Sequence, residues 1–433
     1  GYTFDGLGNR TQTEVNGRAA TYTPNNVNQY ISRTVPGAVD ILGWADTQAD
    51  VTVNGQTPSR VGGYFYQMLV AANELSPLYL PVTVDATLNN ETSMVSGSRF
   101  VAETPEIFAY DDDGNLLEDG RWLYTWDGEN RLIQMETRPA AVAAGAPAQR
   151  LSFAYDYMGR RISKEVEVWR DGRWRTLHKR FFHYDGWNLI AEVLDDGRLI
   201  RSYTWGLDLS GSMQGAGGVG GLLAIHDHLE QKTFLPAYDG NGNIIALVGA
   251  QSGTTVATYE YSPFGQLIAH EGTYALVNPF RFSTKYTDNE TGLLYYGYRY
   301  YDHETGRWLS KDPINELAHM AMRGEEDFNW YEEVNLYSFV SNNSINLIDF
   351  LGLESLIVGL YGAGQKMNIT NQKMAEIASA VSAHRMFSSR DVGGAVNYIM
   401  REYKKYNCKV RIFGYSWGGA SAIVVSNRLI DRK

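Results

Sequence analysis

Residues 153–166 read Phe-Ala-Tyr-Asp-Tyr-Met-Gly-Arg-Arg-Ile-Ser-Lys-Glu-Val. Phe153 and Tyr155 are two apart, so on an extended strand both rings face the same side. Asp156 and Gly159 are turn formers, Gly159 because it adopts positive φ without strain. The following Arg-Ile-Ser-Lys-Glu-Val alternates polar and apolar, as a half-buried strand does. The stretch therefore predicts a β-hairpin with an aromatic arm.

The same pattern recurs along the chain. YTFDGLGNRTQTEV begins at Tyr2, FAYDDDGNLLED at Phe108, YTWDGENRLIQMET at Tyr124, FHYDGWNLIAEVL at Phe182, YDGNGNIIALV at Tyr238 and YEYSPFGQLIAHE at Tyr259. A lone hairpin cannot bury its apolar face. Stacked copies can, and a long sheet of them must curl.

Composition agrees with this reading. The 433 residues include 29 Tyr against 16 Phe, together with 44 Gly, a balance that favours strands and tight turns over helices. The net charge of −11 argues against a nucleic-acid-binding surface. No apolar run reaches the roughly 20 residues of a membrane helix. The opening GYTFDGLGNR starts inside a repeat, lacks an initiator Met and does not read as a signal peptide, so a fragment of a longer chain is expected. Cys408 is the only cysteine, which excludes an intrachain disulfide. Its simplest reading is a buried thiol.

These units resemble the YD repeats of the RHS (rearrangement hot spot) family, and RYYDHETGRWLSKDPI, residues 299–314, resembles that family's core motif. The resemblance covers about residues 1–33 and 100–353. It implies a mainly-β fold, a spiral β-cocoon shell of YD repeats whose end is plugged by the core segment. The boundaries that follow are repeats over 1–33 and 100–278, the core with its plug over 279–353, and a different domain over 354–433.

The core segment concentrates Tyr298, Arg299, Tyr300, Tyr301 and Arg307. Tyrosine packs a ring and hydrogen-bonds through its hydroxyl, while arginine stacks on rings and grips carboxylates. A rigid polar plug accounts for that composition. Asp312 in Ser-Lys-Asp-Pro and Asp349 in Asn-Leu-Ile-Asp-Phe-Leu-Gly-Leu add a chemical possibility. In RHS proteins and the similar C subunits of insecticidal toxin complexes, an aspartate pair at these motif positions cleaves the chain after the final Leu. The resemblance thus implies autoproteolysis by Asp312 and Asp349 between Leu353 and Glu354, supported by Arg299, Arg307, Lys311 and Gly352. Two close carboxylates share one proton, so one can activate water while the other protonates the leaving amine. Phe350 stands where the family has Pro, which removes a fixed φ from that turn. Turn and capping duty is the alternative role for both aspartates.

Three other stretches interrupt the pattern. Residues 34–99 read as short strands with an Asn54-Gly55 turn, resembling a small immunoglobulin-like β-sandwich insertion. It is read either as a glycan- or partner-binding module or as decoration. Gly215–Gly221 lacks the Lys-Ser/Thr of a phosphate loop, and His226 and His228 have no neighbouring ligand cluster, so no cofactor and no metal is expected. Residues 314–334 read as an acidic insertion with helical content.

After residue 353 the language changes. SLIVGLYGAG reads as a buried strand, NQKMAEIASAVSAHRMF (371–387) as a helix, DVGGAVNYIMREYKKYN as a second helix capped by Asp391, then strand KVRIFGYS and helix ASAIVVSNRLI. That order predicts a partial α/β domain. GYSWGG places Ser416 in a Gly-x-Ser-x-Gly nucleophile elbow, with the Trp417 and Tyr361 backbones as oxyanion donors. The segment resembles the first half of a lipase- or esterase-type α/β-hydrolase. No histidine follows Ser416, only Asp431, and His384 precedes it on the expected helix, so the triad is incomplete.

The combined expectation is a secreted or cell-surface RHS-repeat toxin fragment. Its shell encloses its own C-terminal segment, with an immunity protein, delivery machinery such as type VI secretion and a glycan or lipid target implied by resemblance, and no nucleic acid. The other reading is a surface adhesion protein of the teneurin-like kind.

Overall fold

The computed structural model describes residues 1–313, 335–349, 351–353, 356–361, 384–388 and 410–414, the last three stretches for their backbone course. It separates into two compact bodies, Gly1–Lys311 with Glu333–Gly352, and Asp312–Glu332 with Leu353–Lys433.

The first body is built almost wholly of antiparallel strands. A fourteen-stranded sheet runs from Ala109–Tyr110 to Leu267–Glu271, each strand pairing with its neighbours in sequence. A five-stranded sheet holds Tyr2–Phe4 through Tyr30–Arg33, and Glu106–Ile107 pairs with Tyr30–Arg33 as its fifth member. The repeats therefore resume beside the strand where they paused, which is how an insertion between neighbouring strands is accommodated. That insertion forms two three-stranded sheets, one of Ala38–Trp44, Ser59–Val61 and Tyr64–Val70, the other of Asp50–Val53, Leu78–Leu88 and Glu91–Val101. Val51, Val53 and Phe65 form its core, with Ile41, Leu69 and Val84 packed against them.

The repeat has a detailed physical logic. Asp5, Asp127, Asp156 and Asp239 each accept, on one oxygen, the backbone N–H groups two and four residues on. The other oxygen accepts from the fifth side chain of the turn, Asn9, Arg131, Arg160 or Asn243. Asp111 and Asn115 repeat the side-chain bond. The fourth residue is left-handed, Gly159 at φ +79° and Asn130 at +57°. So one carboxylate closes the whole turn, and the residue pair Asp…Asn/Arg, four apart, is as much the signature as the glycine.

The aromatic before the aspartate explains the excess of Tyr over Phe. The Tyr155 hydroxyl donates to the Leu132 carbonyl at 2.6 Å, Tyr184 to Arg161 at 2.9 Å, Tyr238 to Leu222 at 2.5 Å and Tyr261 to Ile244 at 2.7 Å. Trp126 and Trp205 do the same through Nε1, to Leu116 and Leu189, both at 2.7 Å. In five of the six cases the acceptor opens the second strand of the preceding unit; Leu189 is the second residue of its strand. Each unit is thereby tied to the one before. Tyr184→Phe or Tyr261→Phe should leave a carbonyl unsatisfied and cost about 1–3 kcal/mol each in denaturant unfolding. A cost within a few tenths would show that these hydroxyls do not hold the units together.

One face of the large sheet is buried. Leu116, Leu132, Leu151, Leu189, Leu222 and Ile244 share a single core with Phe280, Tyr286, Leu293, Tyr295, Tyr300 and Leu309 of the core segment. That segment forms its own four-stranded sheet, from Tyr286–Thr287 to Arg307–Trp308. A cavity of about 40 Å3 remains against Arg161, Trp187 and Leu351, room for a few waters.

Arg161, like Arg10 of the first unit, departs from the apolar rule. It occupies the position that Leu116, Leu132 and Leu189 hold in their units, and it is 1% exposed. The rings of Phe153, Phe182, Tyr286, Tyr295 and Tyr300 surround its guanidinium at 4.6–5.8 Å. Asp288 accepts from both its terminal nitrogens, at 2.6 and 3.2 Å. Lys164 joins Asp288 at 2.8 Å and Glu290 at 2.9 Å. Burial alone would lower the Lys164 ammonium, but Asp288 and Glu290 reverse that and hold it above its usual range. A second network on Glu192 gathers Arg180, Arg201 and the Tyr286 hydroxyl.

The glycine run follows the expectation of a turn. It wraps around Asp208, whose carboxylate accepts from Ala216 and Gly218 N–H at 2.7 and 3.1 Å. His226 bonds Thr204 and Thr233, and His228 bonds Ser202.

In the second body Leu356–Tyr361 pairs in parallel with His384–Ser388 on one side and Val410–Gly414 on the other. The parallel sheet matches the expected layer type, with one correction. Residues 384–388 form a strand, not the end of a helix, so His384 lies on a strand. The helical spacing of Met374, Ile377 and Val381 stops short of a run, His384–Ser388, that parallel pairing claims. The expected helices and residues 314–334 lie outside the described residues.

Candidate functional site

The core segment positions one acid against the chain ahead of the expected cleavage point. Tyr300–Asp302 and Arg307–Trp308 are adjacent strands, and Arg299 precedes the first of them. Its guanidinium lies 4.1 Å over the Trp308 ring. From there Nε donates to the Gly352 carbonyl at 2.6 Å and Nη1 to the Leu336 carbonyl at 3.2 Å. Nη2 stands 3.9 Å from Asp349 Oδ2. Asp349 Oδ1 in turn accepts the Gly352 N–H at 2.5 Å. The Tyr298 N–H adds a bond to the Leu351 carbonyl at 3.1 Å.

Gly352 is thus gripped at both ends of its peptide unit. Its φ of +72° suits glycine, and a Cβ there would stand 3.2 Å from Arg299 Cβ. Tyr296, fully buried nearby, keeps its phenol protonated far above the usual range, through burial first and the Asp349 charge in addition.

Of the residues expected from sequence, Arg299, Asp349 and Gly352 therefore come together. Arg307 is engaged elsewhere. It stacks 3.7 Å over Tyr30 and donates to the Asn28 carbonyl and Asn9 Oδ1, docking the first hairpins on the core segment. The Lys311 side chain lies across Gly114, whose φ of +88° suits glycine. Asp312 is buried, 2% exposed, and opens the second body. Leu353 is also buried. Tyr361 ends the strand Leu356–Tyr361; Glu354, Ser416 and Trp417 lie outside the described residues.

A further carboxylate site escaped the sequence reading. Asp119 accepts the Arg121 and Trp122 N–H groups at 2.7 and 2.6 Å and the Tyr124 hydroxyl at 2.5 Å. Glu106, paired with Arg33, accepts the Gly120 N–H at 2.8 Å beside it. Burial and the neighbouring Glu106 charge push the Asp119 carboxyl up to about 7. A raised folded-state value means stability that is full below the ordinary carboxyl range near 4 and lost as pH rises through 7. Thermal melting should therefore fall between pH 5 and 8, and Asp119→Asn should flatten that slope. A profile identical in the two proteins would refute the assignment.

A sheet of YD hairpins closed by an aromatic–arginine core defines a YD-repeat shell protein. Residues 100–345, more than half of the chain, match the family model described as Teneurin YD-shell, and the chain belongs to that family. Several of its relatives are named as toxins or nucleases. It is 30% identical over 209 residues to the tRNA3(Ser)-specific nuclease WapA of Bacillus spizizenii, covering 48% of this chain and 8% of that protein. It is 29% identical over 251 residues to double-stranded DNA deaminase toxin A of Burkholderia cenocepacia, covering 53% and 17%. It is 32% identical over 286 residues to toxin subunit YenC1 of Yersinia entomophaga, covering 63% and 26%. The chain thus spans about a quarter or less of these relatives. Among solved structures it is similar to TcdB2-TccC3, with a TM-score of 0.43 and 18% identity over 81% of this chain and 17% of that one. No helix among the described residues is long and apolar enough to cross a membrane.

Proposed function

We propose that this chain is the closing part of a toxin shell that encloses its C-terminal segment and frees it by cutting the Leu353–Glu354 peptide bond. The observation that carries this is the grip of Arg299 and Asp349 on Gly352. It fixes the peptide one residue ahead of the scissile bond, as a single-turnover cleavage requires. Asp349 accepts an N–H and faces a guanidinium, which suits it to the ionised role of activating water. Asp312 supplies the proton. Water oxygen bonds to the Leu353 carbonyl carbon, the C–N bond breaks, and the proton passes to the Glu354 amine. Edman sequencing of the purified product tests this directly. A second N-terminus at Glu354 is expected; an intact wild-type chain would favour the adhesion reading.

The freed segment is proposed to begin a serine hydrolase. Supporting this, Val410–Gly414 is a parallel strand whose last residue opens the Gly-x-Ser-x-Gly sequence at Gly414 and Ser416. The WapA and deaminase relatives are named for chemistry on nucleic acids, so the two classes separate experimentally. A fluorophosphonate should label Ser416 in a version carrying a complete hydrolase domain, and absence of labelling would remove the esterase proposal. Export and recognition by an immunity protein belong to the same reading.

A further inference from the structure

The inserted sandwich presents one unguarded strand edge. Among the described residues Glu91–Val101 pairs only with Leu78–Leu88, over eleven residues without a bulge. The two strands are joined by Asn89 and Asn90, both at positive φ. Residues 91–99 are exposed on both faces, Met94 by 65% and Val95 by 68%. Their sequence, Glu-Thr-Ser-Met-Val-Ser-Gly-Ser-Arg, contains no Pro and no Lys. Edge strands of isolated proteins ordinarily carry such guards, or a bulge, against pairing with another chain.

The turn fixes which backbone groups are free. A two-residue hairpin makes Leu88 and Glu91 a hydrogen-bonded pair, so the odd-numbered residues spend their backbone groups on Leu78–Leu88. Thr92, Met94, Ser96 and Ser98 then turn their N–H and C=O groups outward.

We propose that this edge pairs antiparallel with the same edge of a second copy, about a two-fold axis at Val95. In that register Glu91 opposes Arg99 of the partner subunit, and the symmetry repeats the pair. Thr92 opposes Ser98 of the partner subunit, and Met94 opposes Ser96 of the partner subunit, so outward backbone groups meet outward backbone groups. Moving the axis to Met94 or Ser96 keeps the hydrogen bonds but leaves Glu91 opposite Gly97 or Val101 of the partner subunit. The charges therefore select one register. Gly97 has open space over its Cα, and Arg99, 3.8 Å from Glu304, is 55% exposed and within reach of a second carboxylate.

Sedimentation of the full chain over a wide concentration range tests this. The wild type should show a reversible monomer–dimer equilibrium. Glu91→Arg and Arg99→Glu should each weaken it by about tenfold or more, since two attractive pairs become repulsive. An equimolar mixture of the two variants should dimerise again, because both pairs are then opposite in charge; that recovery also shows each variant folded. Ser96→Pro removes an outward N–H and should leave a folded monomer. A wild type that stays monomeric throughout, or a mixture no better than either variant alone, overturns the proposal.

Discussion

Asp349→Asn should keep the chain whole, on the cleavage proposed above. The amide is nearly isosteric and can still accept the Gly352 N–H, so the turn should survive while the charge that activates water is lost. Removing a general acid–base group slows such chemistry roughly 10²–10⁴-fold, enough to leave one band where the wild type yields two. Asp312→Asn should do the same from the other side of the reaction. Gly352→Ala tests the geometry rather than the chemistry. At φ +72° a side chain costs about 1–2 kcal/mol and crowds Arg299. That variant should cleave more slowly with both aspartates intact. Unaltered splitting of the Asp349→Asn chain, with an unchanged melting temperature, would remove Asp349 from the mechanism.

Asp288→Asn should destabilise the first body severely. The substitution strands Arg161 and Lys164, both nearly fully buried, without their shared counter-charge. Breaking a buried pair in this way costs about 3–5 kcal/mol. Arg161→Leu should cost less. It restores the residue that other units carry at this position, and Asp288 retains Lys164. Denaturant unfolding of the two variants compares them directly. Equal losses would mean that the arginine's aromatic surroundings, rather than the ion pair, hold the core segment to the sheet.

The repeat was legible because its residues encode local geometry. Phe153, Tyr155, Asp156 and Gly159 declare a strand and a turn wherever the chain places them. The Asp5–Asn9 and Asp156–Arg160 clasps were equally local but hidden by their variable fifth residue. Partners far apart in sequence could not be read in the same way. Nothing near Arg161 announces that Asp288, 127 residues on, will meet it. Arg307 looked like part of the cleavage site because it shares a motif with Arg299. In the pairing of Tyr300–Asp302 with Arg307–Trp308, Arg307 lies opposite Asp302 rather than beside Arg299, and it reaches Tyr30 and Asn9 instead. The mislaid strand at His384 has the same origin. A short apolar run is ambiguous until a pairing partner is known.

The four tyrosine bonds that tie each unit to the one before, from Tyr155, Tyr184, Tyr238 and Tyr261, point backward along the chain, from each ring to a carbonyl laid down earlier. A ribosome therefore delivers these four hydroxyls after their acceptors, and each of these ties can form as soon as its tyrosine emerges. Residues 299–353, which carry Arg299 and both aspartates, are translated after all the repeats described here. The residues proposed to cut the chain thus emerge only after the sheet on which their segment packs.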